Sequence, residues 1–376
     1  MSISGEAVSG IGGGAEKKSV DIAVRIMRGA VAAKASDVHL KADAVPLVRI
    51  GGELCTLEHP PVPEVVVQSA VRAMASWSKF DATKLEGNQA DFAVEVPEAG
   101  RWRVHAYRQS GKRACVMRHI PMPVPDFAQL RLPPVIKQIA TAARGLVIVA
   151  GATGNGKSTT IASMLSFLNQ QEPKHVVTIE DPVEFRLDDE LCSFSFREIG
   201  LDVDSFEQGI AGAMREDPDV IFLGEMRTLQ QFDSALYAAE SGRLVISTFH
   251  AADVVQALNR MVSFYPVDAR ESVAHRLADA VTAIVCQRLV PRRGARERIL
   301  VTEVLRRTPL VQDCIRDPGR IRSVHTALER STNEFGTHTF DQQLLRLVKD
   351  KLVDVNTAKA MANSPHNLVR ALNISR

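Results

Sequence analysis

The octapeptide Gly151-Ala-Thr-Gly-Asn-Gly-Lys-Ser158 constrains this chain more than any other stretch. It fits the pattern G-x-x-x-x-G-K-[ST] at every fixed position. An apolar run, Leu146 to Ala150, precedes it, and a helix-compatible run, Thr160 to Asn169, follows. A chance match in a small-residue loop is the bland alternative, but strand before and helix after are the context this motif requires. Glycines let the backbone approach a polyphosphate so that its N–H groups point at the oxygens. The positive end of the following helix adds to that field. Gly151, Thr153, Gly154, Asn155, Gly156, Lys157, Ser158 and Thr159 are therefore candidate phosphate-binding residues. Lys157 has the reach for the β- and γ-phosphates, and the Ser158 hydroxyl can hold Mg²⁺.

Such a loop must follow the carboxyl end of a strand in a sheet, and the sequence beyond it supplies the other strands. Val176 to Glu180, Val220 to Leu223 and Leu244 to Phe249 read as short buried strands; Phe206 to Met214 and Leu229 to Ala239 read as helices. With Leu146 to Ala150 this makes four apolar strands alternating with helices, the pattern of an α/β fold with a parallel sheet. In such sheets chemistry gathers beyond the carboxyl ends of the strands. Thr153, Glu180, Glu225 and His250 all fall there.

Each has a plain reading and a chemical one. Glu225 follows a strand where a metal-side acid belongs, but Gly224 rather than an aspartate precedes it. That favours orienting a water over holding a metal, against the alternative of an ordinary surface glutamate. Glu180, Asp181 and Glu184 are either a solvated acidic loop or residues near Mg²⁺ and its waters. His250 is either structural or a hydrogen-bonding sensor of a γ-phosphate. Asp219 reads as a turn residue at a strand start.

The remaining sequence divides into recognisable parts. A chain of 376 residues suggests two domains. Residues 1–18, rich in Ser, Gly and Ala, read as a flexible tail. Residues 19–120 read as a small α+β domain. A helix begins at Ser19, with Val20, Val24, Met27 and Val31 at helical spacing. Strands are expected at Asp37–Leu40, Pro46–Ile50, Asp91–Val96, Trp102–Tyr107 and Cys115–Ile120, with a second helix over Val65–Ala75. Prolines spaced through residues 121–134 form a semi-rigid linker. From about Asp268 the pattern is mainly helical: Arg270–Val285, Pro309–Arg316 and Phe340–Leu352, with a short strand over Ile299–Val304.

Composition narrows the setting. Lys+Arg of 46 against Asp+Glu of 44 leaves +2, which gives no general reason to expect nucleic acid or a membrane surface as partner. The one basic cluster, Arg288, Arg292, Arg293, Arg296 and Arg298, is either a solvated loop or a nucleic-acid contact. No signal-peptide pattern opens the chain, and no apolar run approaches the ~18 residues a membrane span needs. A soluble, cytoplasmic protein is the expectation. The cysteines lack Cys-x-x-Cys spacing, so they read as small core residues. Arg101, Arg103, Arg108 and Arg118 lie on two neighbouring strands of the first domain. They are either a solvated basic face or arginine fingers for a nucleotide.

Taken together, these motifs resemble the type IV pilus retraction ATPases, the PilT/PilU group of the type II/IV secretion ATPase superfamily. The resemblance runs from about residue 19 to about 372. It rests on Ala35-Ser-Asp-Val-His-Leu40, Arg103-Val-His-Ala-Tyr-Arg-Gln109, the phosphate loop, Thr178-Ile-Glu-Asp-Pro-Val-Glu-Phe185, Arg215 to Arg227, Ser247-Thr-Phe-His-Ala251 and Thr339-Phe-Asp-Gln342. Thr308 to Arg316 is similar to the group's C-terminal retraction motif.

The resemblance implies a PAS-like N-terminal domain over 19–120 and a RecA-like ATPase domain over 135–376, helical from about 301. It implies ATP and Mg²⁺ as cofactors and a homo-hexamer working beneath an inner-membrane pilus platform protein, with a paralogous retraction ATPase as a further partner. It implies Glu225 as catalytic glutamate, with Glu180, Asp181 and Glu184 near Mg²⁺ beside Ser158. His250 would be the phosphate sensor, and Arg103 and Arg108 catalytic arginines. The assembly-side relatives carry an extra N-terminal domain and a four-cysteine zinc site that this sequence lacks, which favours retraction. An accessory PilU-like ATPase, a weakly active scaffold and a secretion or DNA-transfer ATPase are the alternatives. Five positions depart from the family's pattern and bear on turnover rather than ATP binding. Asn155 replaces a Ser, Arg243 a His and Thr228 an acid, and Gln312 and Asp313 stand for Arg and Asn.

Overall fold

The computed structural model describes residues 14–295, 297–330 and 336–374. They divide into two units, one ending at Pro123 and the other beginning at Val124.

In the first unit, helices α1 (Gly14–Ala32) and α2 (Glu64–Trp77) accompany strands β1 (Asp37–Lys41), β2 (Leu47–Ile50), β3 (Glu53–Thr56), β4 (Gln89–Val96), β5 (Gly100–Gln109) and β6 (Lys112–Ile120). The strands form one antiparallel sheet in the order β3-β2-β1-β6-β5-β4. Alternation along the strands sends Val38, Leu40, Phe92, Val94, Trp102 and Val104 into a core shared with Ile26, Met27, Val67 and Met74 of the two helices. The Trp102 indole donates to Ala99 O at 2.9 Å, so burying its N–H leaves no donor unmatched. The expected tail over 1–18 needs correction, because α1 already begins at Gly14. Gly14 to Lys18 are helical, forming the first turn of α1, while residues 1–13 lie outside the described residues.

The second unit is built on a seven-stranded sheet. Helix α3 (Val135–Ala140) leads into β7 (Gly145–Ala150), then α4 (Lys157–Asn169), β8 (His175–Glu180) and β9 (Ser193–Glu198). Next come α5 (Phe206–Ala213), β10 (Val220–Leu223), α6 (Leu229–Glu240), β11 (Leu244–Phe249), α7 (Val254–Ser263), α8 (Arg270–Ala280), β12 (Val281–Pro291) and β13 (Arg298–Arg306). The order is β13-β12-β7-β11-β10-β8-β9, with every neighbouring pair parallel except β12 and β13. Helices α9 (Pro309–Arg316), α10 (Val324–Arg330), α11 (Phe340–Lys349), α12 (Val355–Met361) and α13 (Pro365–Ile374) complete the described chain.

Both faces of this sheet are buried, which explains its uninterrupted apolar strands. Leu146 and Ile148 of β7 join Val245, Phe232, Leu258 and Leu277 on one face. Val147 and Val149 turn to Ile136, Ile139, Met164 and Leu165 on the other. At about 1.5–3 kcal/mol for each large side chain withdrawn from water, these two layers dominate the unit's stability.

One sequence expectation fails here, and one strand goes unread. The helix expected over Arg270–Val285 ends at Ala280, and Val281 starts β12 between β7 and β13. A continuous apolar run fits either helix or central strand, and β-branched Val281, Ile284 and Val285 fill the sheet interior. Strand β9, with its Ser-Phe alternation and half-exposed side chains, was not anticipated as an edge strand at all.

Candidate functional site

The loop between β7 and α4 has the shape that phosphate binding demands. Its first glycine, Gly151, has φ +154°, and a Cβ there would lie 2.7 Å from Gln287 O on β12. The loop therefore runs flush against the neighbouring strand. Asn155 fastens it a second time: the Leu289 N–H donates to Asn155 Oδ1 at 3.3 Å. The Gln287 amide donates to Thr160 Oγ1 at 2.7 Å, tying the first turn of α4 to the same strand. Thr153 and Gly154 are exposed at the tip; Gly156, Lys157, Ser158 and Thr159 are half-buried where α4 opens. Lys157 Nζ donates to Gly151 O at 2.9 Å and Ala152 O at 3.2 Å, closing the loop on itself. Burial pulls the Lys157 ammonium below its ordinary pKa, while the charges of Glu225 and Glu184 oppose that shift. Both acids thus sit within electrostatic range of the phosphate lysine.

Glu225 follows β10 and is held from two sides. His250 Nε2 lies 2.7 Å from Glu225 Oε1. Arg227 reaches Glu225 Oε2 through Nε at 2.9 Å and Nη2 at 2.7 Å. Burial first, then the charges of Lys157, Arg227 and Arg260, hold His250 below the ordinary histidine pKa, with Glu225 acting the other way. That direction favours the neutral imidazole at pH 7, with Nε2–H donating to the Glu225 carboxyl group. Arg227 is the residue that sequence reasoning missed. Its signal was the Glu-x-Arg spacing, since residues two apart on an extended segment share a side.

The acids of β8 fall into place differently from one another. Glu180 ends the strand and is buried, Glu184 is half-buried, and Asp181 is exposed. The Glu184 N–H donates to Glu180 Oε2 at 3.5 Å. A Cβ on Gly224 would lie 3.4 Å from Glu180 Cα and 3.6 Å from its Cγ. Gly224 thus packs closely against Glu180 of the adjacent strand, where a side chain at 224 would press on it. Ser158, Thr178 and Glu180 line one cavity with about 20 Å³ of room, walled by Phe185, Phe196 and Phe222. Thr178 Oγ1 is buried in its wall without a protein partner. Ala162, Leu165 and Leu187 complete a mostly apolar lining, so the cavity itself is no ion pocket; the oxygens there of the kind Mg²⁺ prefers are those of Ser158, Thr178 and Glu180, and that donor chemistry fits the ion. No cluster of three His, Cys, Asp or Glu able to hold a metal occurs among the described residues. The fit is that of an ion held by one or two side chains plus phosphate and water.

The other sequence candidates sort as follows. Arg103 and Arg108 lie on β5 of the first unit, where Arg108 Nη1 donates to Gly111 O at 3.3 Å. Asp219 is structural: it accepts from the His175 N–H at 2.9 Å. Thr228 is the N-cap of α6 in a complete capping box with Gln231. Arg243 sits before β11, at the strand end opposite His250, and donates to Ser241 O at 3.0 Å. The basic cluster dissolves into separate contacts. Arg292 pairs with Glu297, Arg293 with Asp354, and Arg288 with Met361 O and Asn363 Oδ1, while Arg296 lies outside the described residues.

Comparison with known proteins agrees with this geometry. The family model for type II/IV secretion system protein matches residues 15–314. The chain is 35% identical to the type IV pilus ATPase PilU of Pseudomonas aeruginosa, over 92% of this chain and 89% of that one. It is 33% identical to the retraction ATPase PilT of the same organism, over 89% and 96%. A crystal structure of the pilus retraction motor PilT with bound ADP superimposes with a TM-score of 0.81 at 35% identity, over 92% of this chain and 98% of that one. The Legionella pneumophila ATPase DotB shares the fold, with a TM-score of 0.77 at 23% identity over 91% and 95%.

Proposed function

This chain belongs to the type II/IV secretion system protein family and is an ATPase, and from that premise we propose that it powers retraction of a type IV pilus. The observation that carries the chemistry is the carboxylate of Glu225, held by His250 and Arg227 within electrostatic range of Lys157. Hydrolysis of ATP needs phosphate positioning, charge neutralisation and an oriented water. Backbone N–H groups of 151–159 and Lys157 cradle the β- and γ-phosphates. Glu225, aimed by two donors, accepts a hydrogen bond from the attacking water. His250, neutral and in contact with Glu225, reports the γ-phosphate to that carboxylate. Ser158 and Glu180, with Asp181 and Glu184 from the segment that follows β8, would hold Mg²⁺, which would supply charge neutralisation on the phosphate oxygens.

Likeness to PilT over nearly its full length supports a motor that assembles as a homo-hexamer. Arg103 and Arg108 are kept as the arginines that offset charge on the transferred phosphoryl group in that assembly. No described helix is long and apolar enough to cross a membrane, so force would reach the membrane through a pilus platform protein.

A second reading, a PilU-like accessory ATPase, is favoured by the similarity to PilU over 92% of the chain. A DNA-transfer role draws no support from the basic cluster, whose described arginines other than Arg298 are paired within the protein. Deletion with complementation separates these. Loss of twitching with excess surface pili, restored by the wild-type gene and not by Lys157→Ala, is the expected result. Loss of surface pili would contradict retraction. Retraction abolished only when a paralogue is also deleted would assign the accessory role.

A further inference from the structure

His250 sits on a short segment between β11 and α7, and that segment is held mostly by side chains from elsewhere. Arg260 of α7 donates to His250 O. Arg288 of β12 donates to Ala252 O at 3.1 Å. Glu303 of β13 accepts from the Val254 N–H at 2.8 Å.

The last two do not stop at this segment. Arg288 also donates to Met361 O at 2.5 Å and Asn363 Oδ1 at 2.6 Å, and its guanidinium lies 3.9 Å over the Phe340 ring. Glu303, buried, also accepts from the Phe340 N–H at 3.5 Å. Each side chain therefore joins the His250 segment to α11 or to the turn between α12 and α13. The far ends are themselves fixed. Asp341 accepts from the Asn363 and Ser364 N–H groups at 2.7 and 2.8 Å, locking the Asn363 turn onto α11.

We propose that Arg288 and Glu303 are positioning residues through which the C-terminal helices α11–α13 seat His250 against Glu225. Neither touches the phosphate loop through its side chain in any hydrogen bond above; they act on the backbone on either side of Asp253, at Ala252 O and Val254 N–H. A fork-shaped guanidinium sharing its donors between two segments transmits the position of one to the other, because its planar geometry leaves few ways to satisfy all acceptors at once. Displacing α11–α13 would then loosen the Glu225–His250 contact and slow turnover without weakening ATP binding. The proposal rests on the reading that His250 and Glu225 act together in hydrolysis.

The test uses the full-length protein, comparing Arg288→Gln, His250→Ala and the double variant. Misplacing a reacting group by about 1 Å can cost up to ~100-fold in rate, so about a tenfold fall in kcat is expected for Arg288→Gln, with KM for ATP within about twofold. In the His250→Ala background Arg288→Gln should have little further effect. An equal fall in both backgrounds would overturn the proposal. A second readout does not depend on turnover: the rate at which diethyl pyrocarbonate modifies His250, followed by peptide mass, with exposed His275 of α8 as internal reference. Arg288→Gln should raise the His250 rate several-fold and leave His275 unchanged; an unchanged His250 rate would overturn it. If His250→Ala alone leaves kcat intact, the hydrolysis reading fails, and the modification rate still decides whether Arg288 seats His250. Asn363→Ala, which removes one anchor and keeps the arginine, should show the same pattern at smaller size and serves if Arg288→Gln does not fold.

Discussion

Gly151→Ala tests how the phosphate loop is held. The alanine Cβ would lie 2.7 Å from Gln287 O, a backbone atom on a central strand that cannot rotate away. A comfortable C···O contact is about 3.3 Å, so the loop must retreat by about 0.6 Å. Forcing a methyl into a packed site costs about 1–3 kcal/mol, and φ +154° imposes a further ~1–3 kcal/mol on a residue with a side chain. The total, about 2–6 kcal/mol, divides between stability and displacement of the loop. Gly154→Ala is the control: its φ is +80°, but nothing lies within 4 Å of the added Cβ, so only a conformational cost of about 1–2 kcal/mol remains. The assay is titration with a fluorescent ATP analogue alongside thermal unfolding of both variants. Gly151→Ala should lose at least tenfold in ATP affinity, about 1.4 kcal/mol, or melt several degrees lower, and should exceed Gly154→Ala in the sum of the two effects. Wild-type affinity and melting for Gly151→Ala, or identical behaviour of the two variants, would refute the account of a loop pressed against β12.

Two further predictions concern the catalytic end of β11. His250 has its pKa lowered by burial and by Lys157, Arg227 and Arg260, against the opposing charge of Glu225, so it gains its proton only below pH 6.5. The steady-state rate should hold from pH 7.5 to about 6.5 and fall below that, and His250→Ala should lack this acid limb; a limb centred above pH 7 would contradict the assignment. Arg243 precedes a six-residue strand that ends at Phe249, which places it about 20 Å from His250. Restoring histidine there with Arg243→His should leave kcat within about twofold, the scatter expected for a substitution away from the chemistry; a larger change would show that this end of the strand does matter to turnover.

The phosphate loop, the strand ends at Glu180 and Glu225, and His250 were legible because each announces itself locally. A glycine pattern, an apolar run and the polar residue that ends it lie within a few positions of one another. What stayed hidden depends on distant partners. Arg288 meets Met361 and Asn363, more than seventy residues on, and from sequence alone it counted only as one charge in a basic run. Glu303 looks like any strand residue until it is seen capping two helix starts. Gly224 reads as a gap in an acidic motif, and only the fold shows that it packs against Glu180 of the next strand. Strand β12 was misread because burial on both faces removes the alternation that marks a strand. Thr228, which the sequence set against an acid, is an N-cap, a place where threonine and aspartate both serve.

The central claim is that Glu225, held by His250 and Arg227, orients the water that attacks ATP bound at Lys157. Single-turnover hydrolysis by Glu225→Gln tests it most directly. The glutamine keeps the size of the side chain and a hydrogen-bonding oxygen but loses the charge that draws a proton from water. The account predicts ATP bound with near wild-type affinity and a hydrolysis rate at least about a hundredfold slower, so that intact ATP is recovered from the protein. ADP formed at the wild-type rate in this variant would contradict it.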